Sequence, residues 1–135
     1  MDNVIKIAIM NDNTQLRELS LQQLKSADFN VLFQADNEQQ AIAKMERHGL
    51  PNVCIIEENL PSAKILLAKY PDLKILVSTT EDDKQNVVDM LDIGVAGYIL
   101  KFADPYELVT ATKALAANKK YFSVGIAAIA TEYFQ

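Results

Sequence analysis

Asn11-Asp12-Asn13, Glu57-Glu58-Asn59, Ser78-Thr79-Thr80 and Lys101 each close or follow a short apolar run. Carboxylate and amide oxygens in such clusters suit a hard cation such as Mg²⁺. A lysine beside clustered acids offsets part of their repulsion and favours their charged forms. Other reactive types are isolated. Cys54 lies inside the apolar run Val53–Ile56 and reads as a core filler. His48, beside Gly49, reads as a cation at a helix C-terminus, with no second His or Cys to share a metal. Gly94 and Gly97 form a turn-like G-x-x-G, and no dinucleotide fingerprint appears. The sequence shows no nucleophile–base pair and no closed metal set, which counts against an enzyme.

The elements that must bring these clusters together are legible from periodicity. The apolar runs Val4–Met10, Val31–Ala35, Val53–Ile56, Lys74–Ser78 and Gly97–Leu100 include near-continuous aliphatic stretches, as expected of strands buried on both faces of a parallel sheet. Amphipathic segments separate them, marked by Leu16, Leu19 and Leu24, by Ala41, Ile42 and Met45, and by Val87, Val88 and Leu91. Asn37 is a candidate N-cap, and Gly49 and Gly94 are candidate stops. Asp104-Pro105-Tyr106-Glu107 predicts a helix start, with Asp104 capping and Glu107 at the capping-box spacing. The pattern predicts an α/β fold: a doubly wound, five-stranded parallel sheet of flavodoxin-like order 2-1-3-4-5. Only Ser62–Tyr70 is available for the third helix, so a shortened third helix is expected. Ser123–Gln135 predicts a terminal helix. In this architecture ligands bind beyond the carboxyl ends of the strands, where all four polar clusters fall.

The 135 residues suit one domain with a self-sufficient core. With 50% hydrophobic and 23% charged residues, the composition is that of a globular chain. Thirteen Lys/Arg against eighteen Asp/Glu give a net charge of −5, which argues against binding nucleic acid through its phosphates. One cysteine excludes an internal disulfide framework and fits a reducing compartment. The N-terminus lacks the build of a signal peptide, and no apolar run reaches the roughly 18 residues of a membrane span. A soluble, cytoplasmic protein is expected.

From Val4 to about Phe122 the chain resembles a response-regulator receiver domain of the CheY-like fold, with the NarL/FixJ-type subfamily of bacterial transcriptional regulators the nearest match. The resemblance rests on Asp82-Asp83, on Gly94-Val-Ala-Gly-Tyr-Ile-Leu-Lys101, on Asp104-Pro-Tyr-Glu-Leu108 and on the turn Asn59-Leu60-Pro61. It implies roles for individual residues. Lys101 matches the lysine that contacts the phosphoryl group, Thr79 the hydroxyl switch residue and Tyr98 the aromatic whose rotamer reports activation. Asp12 matches the second member of the acidic pair that holds Mg²⁺, and Asn11 stands in place of the first. Glu57 stands where the family has its phosphoaccepting aspartate. Asp12, Glu57 and Asn59 would make a weak Mg²⁺ site, with no cofactor required. The expected division is a receiver-like domain over 1–122, and over 123–135 a helical tail or the start of a linker to an output domain.

The departures set the functional expectation. Glu57 carries its charge one methylene further out than an aspartate, moving the attacking oxygen by roughly 1 Å, and misplacement on that scale costs about 10²-fold in rate. Asn11 removes one charge from the cation site. Both changes oppose phosphorylation, and Glu57 could instead reach toward Lys101 and imitate the phosphorylated state. The expectation is a pseudo-receiver of a two-component system that signals by protein contact. The resemblance places that contact, homodimerisation included, on the face of helix 4, strand 5 and helix 5, about Val87–Ala117, with Tyr98, Tyr106 and Leu108. Nucleic-acid and membrane binding by the domain itself are not expected. The alternatives are a phosphorelay receiver that accepts phosphate slowly at Glu57 and regulates a separate DNA-binding domain, and a small-ligand-binding flavodoxin-like domain.

Overall fold

A computed structural model describes residues 4–25, 27–57, 59–80, 83–100 and 106–135. Strands β1 (Ile5–Met10), β2 (Phe29–Ala35), β3 (Val53–Glu57), β4 (Ile75–Thr79), β5 (Gly97–Leu100) and β6 (Tyr121–Phe122) alternate with six helices. The helices are α1 (Thr14–Leu24), α2 (Glu38–His48), α3 (Leu60–Lys69), α4 (Lys84–Ile93), α5 (Glu107–Ala116) and α6 (Val124–Tyr133). All strand pairs are parallel, in the order β2-β1-β3-β4-β5-β6.

Alternation along the central strands feeds two cores. Ala8, Met10, Cys54, Ile56, Ile75, Val77 and Tyr98 face one way, onto a layer that includes Ala41, Leu66, Met90 and Ile126 from α2, α3, α4 and α6. Ile7, Ile9, Val53, Ile55, Leu76 and Ile99 face the other way, onto Leu24 of α1 and Leu108, Ala111 and Leu115 of α5. Both faces of each strand are therefore covered, which is why the runs read as continuous rather than alternating.

Helix ends follow local chemistry. Asn13, Asn37, Asn59 and Asp83 cap α1, α2, α3 and α4 by accepting from Leu16, Gln40, Ser62 and Asn86 backbone N–H groups. Gly49 and Gly94 end α2 and α4 at φ 89° and 99°, where a side chain would be strained. The Asp104 cap and Pro105 start fall outside the described residues. Glu107 does not serve a capping box: its carboxylate is engaged by Tyr121 and Ser123.

One expectation is corrected. The sheet has six strands, because Tyr121–Phe122 adds a parallel pair to Gly97–Tyr98. A two-residue strand has no period to detect. The third helix runs over 10 residues, Leu60–Lys69, beginning before Ser62 with Pro61 in its first turn. Proline tolerates that position because the first-turn N–H groups lack helical partners. At the β2 edge, Lys44 Nζ donates to the Gln34 carbonyl at 2.5 Å.

Candidate functional site

The carboxyl ends of β1, β2 and β3 open into a cleft of about 350 Å³ lined by Asn11, Asp12, Asp36, Glu38, Glu57 and Asn59 among others. Asn11, immediately after β1, is buried, whereas Asp12 and Asn13 are exposed. The Asn11 side chain is held at both ends. Its Oδ1 accepts from the Asn13 backbone N–H at 2.8 Å, and its Nδ2 donates to Glu57 Oε2 at 3.1 Å. Glu57, the last residue of β3, is half-buried and points into the same cleft. An amide donor therefore faces this carboxylate.

That arrangement bears directly on Mg²⁺. A hard cation needs oxygens directed at one point. Asn11 presents nitrogen toward Glu57, and its oxygen serves a turn. Asn59 Oδ1 is the α3 cap, accepting from Ser62 N at 3.1 Å. Among the described residues no cluster of three His, Cys, Asp or Glu side chains could hold a metal. Asn11 and Asn59 thus direct their oxygens to backbone N–H groups, which leaves Asp12 and Glu57 as the cleft's carboxylates for a cation at the expected site.

Around the cleft stand residues that sequence spacing did not single out. Arg17 of α1 reaches across to β2: its Nη1 donates to the Asn11 carbonyl at 2.8 Å and to Asp36 Oδ1 at 2.5 Å, and its Nε to Gln34 Oε1 at 3.1 Å. The guanidinium beside Asp36 holds that carboxyl below its ordinary value, with Gln40 assisting. Glu38, at the start of α2, accepts the Ser62 hydroxyl at 2.8 Å, tying α2 to α3. Its own backbone N–H, and then Ser62, hold its carboxyl below the usual range. No periodicity marks Arg17 or Ser62; only Glu38 sits where a first-turn acid is expected.

The remaining predicted residues are placed as follows. Thr79 ends β4 and is buried, Ser78 is buried beside Glu57 in the β3–β4 register, and Thr80 is exposed. Tyr98 of β5 is fully buried in the core beneath α4 and α6. Lys101 and Glu58 lie outside the described residues. Thus Asn11, Asp12, Glu57 and Asn59 share one cleft, with Thr79 two strands from β1 at the same sheet edge. Cys54 is wholly buried, and burial pushes its thiol up to about 12, consistent with a core filler. Among the described residues no helix is long and apolar enough to cross a membrane.

Comparisons with known proteins identify the family and the fold. A family profile described as "Response regulator receiver domain" matches residues 7–113. The chain is 30% identical over 127 residues to "Transcriptional regulatory protein DegU" of Brevibacillus brevis, covering 89% of this chain and 53% of that protein. It is 27% identical over 131 residues to "Response regulator GacA" of Pseudomonas syringae, covering 92% of this chain and 61% of that protein. The chain thus spans little more than half the length of these curated relatives. Among solved structures, the isolated REC domain of RcsB from Salmonella enterica serovar Typhimurium, with phosphomimetic BeF3⁻, superposes with a TM-score of 0.85 at 20% identity, covering 94% of this chain and 99% of that one. A LuxR-family two-component response regulator from Aurantimonas sp. gives 0.86 at 20% identity, covering 98% of this chain and 100% of that one. At these identities the structures show the fold alone.

Proposed function

The chain belongs to the response regulator receiver domain family, and from that premise we propose that it is an atypical, non-enzymatic receiver whose output does not depend on a phosphorylated side chain. The observation that carries this reading is the Asn11–Glu57 hydrogen bond. A phosphoaccepting carboxylate must present an oxygen in line with the donor beside a cation that offsets charge. Here Glu57 offers a longer arm, and a neutral amide donates to one of its oxygens.

Output then runs through protein contact. The helix 4, strand 5 and helix 5 face is partly filled by the chain itself, because β6 lines the β5 edge and α6 buries Ile126 and Ala130 beside Tyr98. Apolar groups exposed at the start of α5, on α6 and on the segment after it include Tyr106, Val124 and Phe134, at 67%, 92% and 51%, whereas Tyr98 is sealed. We propose that a partner or a second copy meets this altered surface.

Intact-mass analysis after incubation with acetyl phosphate and Mg²⁺ tests the reading. Unchanged mass is the expected result. A phosphoryl adduct mapped to Glu57 would establish the slow-receiver alternative instead.

A further inference from the structure

Ser123 stands immediately before α6, where a serine hydroxyl ordinarily caps the helix. It makes no such cap. Its Oγ is instead directed away from its own helix and is buried, with 2% exposure. It accepts the Leu100 backbone N–H at 2.9 Å and donates its proton to Glu107 Oε1 at 2.7 Å. The second oxygen of Glu107 accepts the Tyr121 hydroxyl at 3.0 Å. A hydroxyl has one proton to give, so donation to the carboxylate leaves its lone pairs for Leu100. The bond to an ionised carboxylate is among the stronger kinds. One carboxylate therefore joins the start of α5, strand β6 and the site end of β5.

This junction lies on a continuous route from the cleft. Glu57 pairs with Ser78 in the β3–β4 register, and Thr79 pairs with Leu100 in the β4–β5 register. Leu100 immediately precedes Lys101 in the sequence. Beyond Ser123, whose own N–H donates to the Tyr98 carbonyl at 3.1 Å, α6 inserts Ile126 and Ala130 into the core. A displacement at the end of β5 cannot leave Ser123 unmoved without breaking the part-buried bond from the Leu100 N–H to its Oγ.

We propose that Glu107 and Ser123 are positioning residues that fix the site end of β5 to the β6–α6 unit, so that a change at the Glu57 cleft is felt at α6. This rests on the reading of that cleft as the regulatory site. The test is backbone hydrogen exchange, read by mass spectrometry on the full chain, of Glu57→Gln in four backgrounds: unaltered, Ser123→Ala, Ser123→Thr and Glu107→Gln. A direct coupling of contact strength predicts that Glu57→Gln shifts exchange over residues 121–133 by about threefold or more in the unaltered and Ser123→Thr backgrounds. In the Ser123→Ala and Glu107→Gln backgrounds the response should fall to near nothing. Loss of a merely structural bond would raise exchange in those variants without removing their response to Glu57→Gln. An equal response in all four backgrounds, or none in the unaltered chain, overturns the proposal. Should Ser123→Ala fail to fold, Glu107→Gln, which keeps size and shape, decides alone. A phosphoryl adduct on Glu57 would overturn the pseudo-receiver reading and leave this coupling result standing.

Discussion

Asn11 Nδ2 donates to Glu57 Oε2 at 3.1 Å while Asn11 Oδ1 accepts from the Asn13 N–H at 2.8 Å, so the amide is fixed in orientation from both ends. The Asn11→Asp variant would set two carboxylates against each other, raising the pKa of the pair and favouring a cation between them. At neutral pH without divalent ions it should be less stable than the parent by roughly 1–3 kcal/mol. Millimolar Mg²⁺ should restore much of that loss while leaving the parent unchanged. Thermal melts with and without Mg²⁺ provide the check, and an equal Mg²⁺ response in the parent would contradict the arrangement.

Much of this fold is written locally, and the exceptions have physical reasons. Asn37, Gly49 and Gly94 announce helix ends because capping and positive φ are single-residue properties. Strands β1, β3, β4 and β5 show because both their faces are buried, and the edge strand β2 because it is rich in β-formers. Tyr121–Phe122 does not, since its partner Gly97–Tyr98 is distant in sequence and two residues carry no period. Sequence also placed Asn11 beside Glu57 without revealing which end of the amide faces the carboxylate, which depends on the turn to Asn13. Arg17 was invisible because its partners Asn11, Gln34 and Asp36 converge only after β1 and β2 pair.

The acid limb of the stability curve should reflect Asp36 and Glu38. Both carboxyls are held below their ordinary values of 3.8 and 4.5, Asp36 chiefly by Arg17 and Glu38 by its own backbone N–H and Ser62. A lowered folded-state pKa contributes stability that is present above the ordinary value and lost as pH falls through the folded value. Asp36→Asn and Glu38→Gln should each flatten the loss of stability below about pH 4.5, the ordinary carboxylate range. Denaturant melts across acid pH supply the comparison.

Gly97 is required by packing. A Cβ there would stand 2.9 Å from both Leu115 Cδ1 and Leu76 Cδ1 and 3.0 Å from the Tyr121 carbonyl oxygen. Gly97→Ala is expected to cost about 1–3 kcal/mol, the usual penalty for overpacking. The loss should appear as a lower urea midpoint with unchanged slope. Exchange should rise first at Tyr121–Phe122, the neighbour whose backbone is crowded.

Ile126 has no exposed surface and anchors α6 to the core, so Ile126→Ala should cost about 2–5 kcal/mol. Tyr133→Phe, which removes an exposed hydroxyl bond to Asp92, should shift the denaturation midpoint far less. Chemical denaturation of the two variants separates core anchoring from surface tethering.

Cys54 is buried with its thiol raised to about 12. Thiol reagents act on the thiolate, so labelling of the native protein should be slow even at mildly alkaline pH and limited by opening of β3. Denaturant should make it rapid, and fast labelling of the native chain would contradict this burial.

The short β6 also bears on solution behaviour. An unpaired strand edge is a template for another chain, and natural sheets blunt it with brief strands or with lysine. On one side the sheet ends in only two residues, Tyr121–Phe122. On the other, Lys44 occupies the Gln34 carbonyl of β2. The β6 margin offers no long run of backbone groups, so self-association there should proceed through side-chain surfaces and not by strand addition, which leaves the seven-residue β2 as the margin where lysine must do the blunting.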